Sequence, residues 1–201
     1  MFTEKLNKDK YNITEKFMTV KKMNLFLLAL LPAVYAIYTT IYILLWDYEQ
    51  IFTTLTSPRI NFLLALFVLG FGIIIFIAAA IIAKAIILSK FSEGKSDSLS
   101  FKIIKEIQKP HCCLKEPVTV KQYKISLAVY IFTAGIAPYI AALILGDFMV
   151  VFACFICLVF CGGDILLFIA LFKENNGSYI QDFEGIMLYR IYEKKNYNII
   201  N

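Results

Sequence analysis

The chain has 201 residues, of which 60% are hydrophobic and 17% charged, against roughly 45–50% apolar and about 25% charged in an ordinary soluble domain. Its mean hydropathy of +0.71 is gathered into long apolar runs, which excludes a soluble globular enzyme and makes the lipid bilayer the first partner. The net charge of +5 comes from lysines beside those runs, with no basic helix or aromatic-basic module, so nucleic acid is excluded as a partner.

Residues 1–22 form a polar, lysine-rich arm, expected to be cytoplasmic and partly helical. The first apolar run, 23–46, exceeds the roughly 7–15 residues of a signal-peptide core and reads as a retained span. Pro32 lies inside it, and Tyr42, Trp46 and Tyr48 mark its far end as interfacial aromatics do. After a short loop broken at Ser57-Pro58, the second run covers 60–88. Gly70, Gly72 and Ala78 to Ala80 offer it a small-residue packing face, and Lys84 interrupts its last turns.

A long polar connection follows. Leu99, Phe101 and Ile103 alternate with polar residues, as do Val118 and Val120, and Pro110 and Pro117 bracket a turn. This pattern predicts a β-hairpin within 97–122. The third span is 124–145, with Gly135 and Pro138 marking a kink. Gly146-Asp147 makes a tight turn into the fourth span, 148–172. The tail, 173–201, carries Ile186, Leu188 and Ile191 in a short strand or helix. The expected fold class is a mainly α membrane protein: four transmembrane helices with a small cytoplasmic β-hairpin between spans two and three.

Orientation follows from the basic residues. The arm, the long connection and the tail are lysine-rich, whereas the first loop carries only Arg59 and the Gly146-Asp147 turn carries none. With four spans, all basic segments fall on one side, so both termini are expected in the cytoplasm of a multi-pass cell-membrane protein.

Asp164 is the first candidate for chemistry. A carboxylate among lipid-spanning residues is costly unless protonated, paired or metal-bound. Lys84 is its natural counterpart. It lies six residues from Lys90, roughly 9 Å inward, while Asp164 lies nine residues from Lys173, roughly 13 Å inward. One reading is a buried Lys84–Asp164 ion pair; the other is a Lys84 that snorkels to the surface.

Cys154, Cys157 and Cys161 share one helical face. They read as a strip of small, soft residues at a helix interface, or else as a thiolate site. His111, Cys112, Cys113 and Glu116 sit close together, but zinc motifs need a second ligand half. A turn set closing the hairpin is the plainer reading. His111 is the only histidine, and no Gly-x-Ser-x-Gly elbow or phosphate loop accompanies it.

Three stretches carry a family likeness: Pro110-His111-Cys112-Cys113-Leu114-Lys115-Glu116-Pro117 with Val118 to Tyr123, then Gly162-Gly163-Asp164, then Tyr179-Ile180-Gln181-Asp182. Together they resemble a bacterial membrane domain-of-unknown-function family described as zincin-type peptidases, over roughly residues 60–193. That resemblance implies about four spans. It also implies a His-Glu-x-x-His near the end of the span before the long connection, where two histidines hold zinc and the glutamate activates water. By resemblance Asp164 would be a third ligand.

The chain departs from this pattern at the centre. Ala78 to Ser89 holds no histidine and no glutamate, and Phe183 stands where relatives have a histidine after the Gln-Asp pair. The expected function is therefore a non-catalytic pseudopeptidase or membrane scaffold with no catalytic residue, no metal and no cofactor. Lys84 and Asp164 would be a vestigial-site ion pair, the lysine replacing the metal charge. His111, Lys115, Glu116, Pro117, Gly162, Gly163, Gln181 and Asp182 are the family-motif positions. A membrane protein or peptide partner would bind along the hairpin by strand addition. The alternatives are an active zinc-dependent membrane metallopeptidase, or a small transporter or channel component lined by Lys84 and Asp164.

Overall fold

The computed structural model describes residues 11–17, 20–49, 62–92, 99–104, 109–182 and 188–194. The Ser57-Pro58 break, Arg59, Phe183 and Ile186 lie outside the described residues. In chain order the elements are β1 (Tyr11–Phe17), α1 (Val20–Trp46), α2 (Phe62–Phe91), β2 (Leu99–Ile104), β3 (Lys109–Leu114), β4 (Val118–Thr119) and α3 (Val120–Ile131). A π-helical turn (Phe132–Ile136), α4 (Ala137–Leu145), α5 (Phe148–Phe160), α6 (Gly162–Leu171), β5 (Tyr179–Asp182) and β6 (Leu188–Lys194) complete the chain.

Three stretches are long and apolar enough to cross a membrane: Leu25–Trp46, Leu69–Phe91 and Val120–Leu145. The pair α5–α6, bent by 53°, is a fourth if it counts as one span. The protein is thus a mainly helical, multi-pass membrane protein with a small antiparallel sheet.

The chain divides into two compact units. The helical unit comprises Met23–Ala83 and Ala128–Leu166. Its core gathers Tyr38, Tyr42, Tyr139, Ala142, Phe148, Val151, Cys154 and Leu158. Tyr38 and Tyr139 stack with ring centroids 3.7 Å apart. A second cluster joins Ala80, Tyr130, Ala134 and Cys161. Ala80 supplies the close packing expected of the small-residue face. Gly70 and Gly72 do not, since a Cβ at either would meet nothing within 4 Å. The kink expected at Gly135 and Pro138 is realised as the π turn, which ends just before the proline at the start of α4. Proline has no N–H to give, and the shifted hydrogen-bond register absorbs that loss.

The Gly146-Asp147 turn forms as expected. Gly146 ends α4 in the left-handed conformation at φ 69°, which a side chain would strain. Asp147 then caps α5, its carboxylate accepting from the amides of Met149 and Val150. Tyr42 is fully buried, so it is no interfacial anchor; its hydroxyl donates to the Gly146 carbonyl at 2.9 Å. Trp46 Nε1 donates to the Leu143 carbonyl at 2.6 Å.

The sheet unit comprises Met1–Lys22, Lys84–Leu127 and Leu167–Asn201. Its main sheet has the order β1-β6-β5-β4, antiparallel throughout. Tyr11 pairs with Lys194, Tyr179 with Tyr192, and Val118 with Ile180. Within the arm, Tyr11–Phe17 is strand and residues 20–22 open α1. The strand's alternation of polar residues with Tyr11, Ile13 and Phe17 suits a sheet edge. The tail resolves to strand in β5 and β6.

A hairpin does form in the connection, with a different partner from the one expected. β2 pairs with β3, Leu99 opposite Leu114 and Ile104 opposite Lys109. Val118 joins the main sheet instead, and Val120 starts α3. His111 to Cys113 therefore lie within a strand rather than in a turn. Pro110 is compatible with this strand because, among the described residues, the β2–β3 sheet has two strands and so each has an outer edge. The helix start at Val120 has a physical cause in a reciprocal capping box. The Thr119 amide donates to Gln122 Oε1 at 3.0 Å, and the Gln122 amide to Thr119 Oγ1 at 3.3 Å.

Candidate functional site

The two charged candidates are both buried. Lys84, in α2, is 2% exposed. Its Nζ lies 5.8 Å from the ring centroid of Tyr123 in α3, within cation–π range, and Tyr123 is itself 1% exposed. A snorkelling lysine needs its ammonium in water, and this burial disfavours that reading. Asp164 is 3% exposed and sits in the first turn of α6, where the positive end of the helix favours an anion. Lys84 belongs to the sheet unit and Asp164 to the helical unit.

Gly162 and Gly163, both buried, open α6 directly after the 53° bend. A Cβ added to Gly162 would stand 1.9 Å from Leu27 Cδ2, so any side chain there must displace the end of Leu27 on α1. Of the expected cysteine strip, Cys154 packs with Tyr38 and Tyr139, and Cys161 packs with Ala80 and Tyr130. All three cysteines are buried thiols. That is the behaviour of small apolar residues at a helix interface.

The other motif stretches meet inside the sheet unit. Gln181, on β5 and 6% exposed, donates from Nε2 to the Lys115 carbonyl at 2.6 Å. Its Oε1 accepts from the Tyr192 hydroxyl at 2.8 Å. One buried amide thus fastens the segment after β3 to both β5 and β6. Lys115 is exposed, Glu116 half-buried and Pro117 buried. His111 stands in β3 opposite Lys102, and Asp182 in β5 opposite Tyr189. Sequence reasoning missed the role of Gln181. The available signal was a polar residue amid apolar positions of a strand, which burial makes into a hydrogen-bonding requirement.

Ion pairs close the same unit. Lys16 on β1 contacts Glu174 at 2.5 Å, and Arg190 on β6 pairs with Glu15. The hydrogen bond from Lys16 to Glu174 raises the lysine pKa above its ordinary value, the nearby carboxylate charge adding to the effect against partial burial. Burial is the main cause raising the Tyr189 phenol.

Among the described residues, no group of three His, Cys, Asp or Glu side chains could hold a metal ion. Comparison with protein-family models, with curated proteins and with solved structures finds no match to this chain.

Proposed function

We propose that the chain is a non-catalytic membrane protein, a pseudopeptidase or membrane scaffold with four crossings and both termini in the cytoplasm. The main sheet supports the crossing number. An open-edged sheet cannot extend through hydrocarbon, so strands bonded to one another lie on one side of the bilayer. β1, β4, β5 and β6 share one sheet. Between β1 and β4 run α1 and α2; between β4 and β5 run Val120–Leu145 and the bent α5–α6 pair. Each interval then needs an even number of crossings, and the second is even only if the bent pair crosses. Helices of 13 and 10 residues meeting at 53° reach about 31 Å end to end, close to the roughly 30 Å hydrocarbon thickness. The lysine excess of the sheet-side segments argues for the cytoplasmic side.

The observation that carries the functional reading is the burial of Lys84 in a spanning helix. A desolvated ammonium costs several kcal/mol unless a countercharge balances it. It would also repel a divalent cation placed beside it. The reading is that Lys84 supplies a tethered positive charge where an active member of the resembled family would hold zinc, and that Asp164 supplies the balancing carboxylate. The proposed partner is a membrane protein or extended peptide added at the β2–β3 hairpin, where each strand has one bonded neighbour among the described residues.

The test is a double-mutant cycle with Lys84→Met and Asp164→Asn, read by unfolding in detergent. Each single change is expected to cost about 3 kcal/mol. The pair should cost less than the sum by at least about 1 kcal/mol. Strictly additive losses would sink the charge balance. Elemental analysis of the purified protein should find no stoichiometric zinc, and one tightly held zinc per chain would contradict the reading.

A further inference from the structure

Basic residues gather around the start of α3 and the end of α6: Lys121, Lys124 and Lys173. Helix α3 begins at Val120 with Lys121 and Lys124 in its first turns and no acidic residue. The helix dipole disfavours cations at this end. The free amides that could bind an anion directly are already engaged. Val120 N–H donates to the Ser178 carbonyl at 2.8 Å, Lys121 N–H to the Asn176 carbonyl at 3.4 Å, and Gln122 N–H to Thr119 Oγ1. What this corner presents outward is therefore side-chain ammonium.

The corner is compact. Lys124 Nζ donates to Asn176 Oδ1 at 2.9 Å and lies 5.3 Å from the ring centroid of Phe172. Lys173 follows Phe172 in the chain and is exposed, as is Lys121. An ammonium has three donors, so Lys124 keeps two beyond its bond to Asn176. The carboxylate on this turn, Glu174, is engaged by Lys16 and does not neutralise the group. Immediately alongside, Ile125, Ile169 and Phe172 are 40%, 48% and 65% exposed. Such apolar side chains on spanning helices face hydrocarbon, so the surface passes from lipid-facing to cationic within about one helical turn. That transition is the level of phospholipid headgroups.

We propose that Lys121, Lys124 and Lys173 form a binding surface for the phosphate of anionic phospholipid headgroups. Asn176 positions the Lys124 amine, and Phe172 lies against the first acyl carbons. The inference rests on membrane placement alone and is independent of the pseudopeptidase reading. A lysine serving only to set orientation would need no lipid preference, and this separates the two roles.

The experiment titrates the full-length protein in detergent micelles with phosphatidylglycerol or phosphatidylcholine and counts bound lipid by native mass spectrometry. Phosphatidylglycerol should bind at least about tenfold more tightly, with the preference weakening as salt rises. The triple variant Lys121→Gln, Lys124→Gln, Lys173→Gln should bring the two lipids within about twofold of each other. The triple arginine variant should keep the preference, and Lys115→Gln with Lys194→Gln should leave it unchanged. If the triple glutamine variant does not fold, the three single variants serve, each expected to lower the preference about twofold. Excess inorganic phosphate should not displace the lipid; displacement would mark a soluble-anion site and overturn the proposal. Equal affinity for both lipids in the wild type, or an unchanged preference in the glutamine variants, would overturn it as well.

Discussion

The sheet unit and the helical unit are closed by different chemistry. In the sheet unit, ion pairs tie segments more than a hundred residues apart, Lys16 to Glu174 and Arg190 to Glu15, and a buried amide links Tyr192 to Gln181 to Lys115. In the helical unit the backbone satisfies itself, and closure comes from ring stacking, cysteines, alanines and a glycine contact. Polar links there include those from ring donors of Tyr42, Trp46 and Tyr139 to carbonyls. The difference follows from the solvent. Hydrocarbon leaves helix packing to van der Waals fit and small residues, while the sheet must recruit distant partners to complete its hydrogen bonds.

If that contrast holds, added volume should hurt the helical unit most. Gly162→Leu drives a side chain into Leu27 and should cost about 3 kcal/mol of unfolding free energy in detergent. Wild-type stability in this variant would break the contrast. In the sheet unit the sensitive change is loss of a polar group. Gln181→Leu strands the Lys115 carbonyl and the Tyr192 hydroxyl and should cost about 2–3 kcal/mol. Hydrogen exchange should then quicken in β5 and β6, and an equal quickening in α5 would blur the distinction. Tyr139→Phe removes one hydroxyl from the Tyr38 carbonyl but keeps the stack, so about 1 kcal/mol is expected.

The smallest effect is alkaline and belongs to the sheet unit. Lys16 and Tyr189 both have pKa values raised by folding, from 10.5 and 10.0 respectively. Groups raised in the folded state contribute stability that is complete below their unfolded pKa and lost as pH climbs through the folded one. Stability should therefore fall above about pH 10. The Lys16 pair contributes at most about 1 kcal/mol, because its side chain is 41% exposed and screened by solvent. Lys16→Met should flatten that part of the pH–stability curve, and an undiminished alkaline loss would remove Lys16 from the account.

Much of the architecture was legible in the sequence, and the reason is physical. Apolar runs of spanning length, the Gly146-Asp147 turn and the Gly135–Pro138 irregularity are local signals, readable without knowing the neighbours. The sheet was not legible in the same way. Tyr11–Phe17 lacks enough apolar alternation to declare itself, and its strand state depends on β6, more than 170 residues later. The hairpin partner was misassigned because Val118 and Val120 alternate as well as any strand, while the true partner carries Pro110. Of the candidate site, the burial of Asp164 followed from its place in an apolar run, whereas for Lys84, near a helix end, the sequence left burial and snorkelling both open. The tie from Gln181 to Lys115 required a tertiary contact that no spacing encodes.

The claim on which this account stands is that β1, β4, β5 and β6 share one side of the membrane, and it can be measured by labelling. Single cysteines at Asn12, Asn176 and Lys194, and at Tyr48 and Asp147, are probed with a membrane-impermeant maleimide in intact and permeabilised cells. The account predicts that the first three are labelled only after permeabilisation and the last two in intact cells. Labelling of Asn12 and Asn176 from opposite sides would contradict it, since no sheet could then contain both segments.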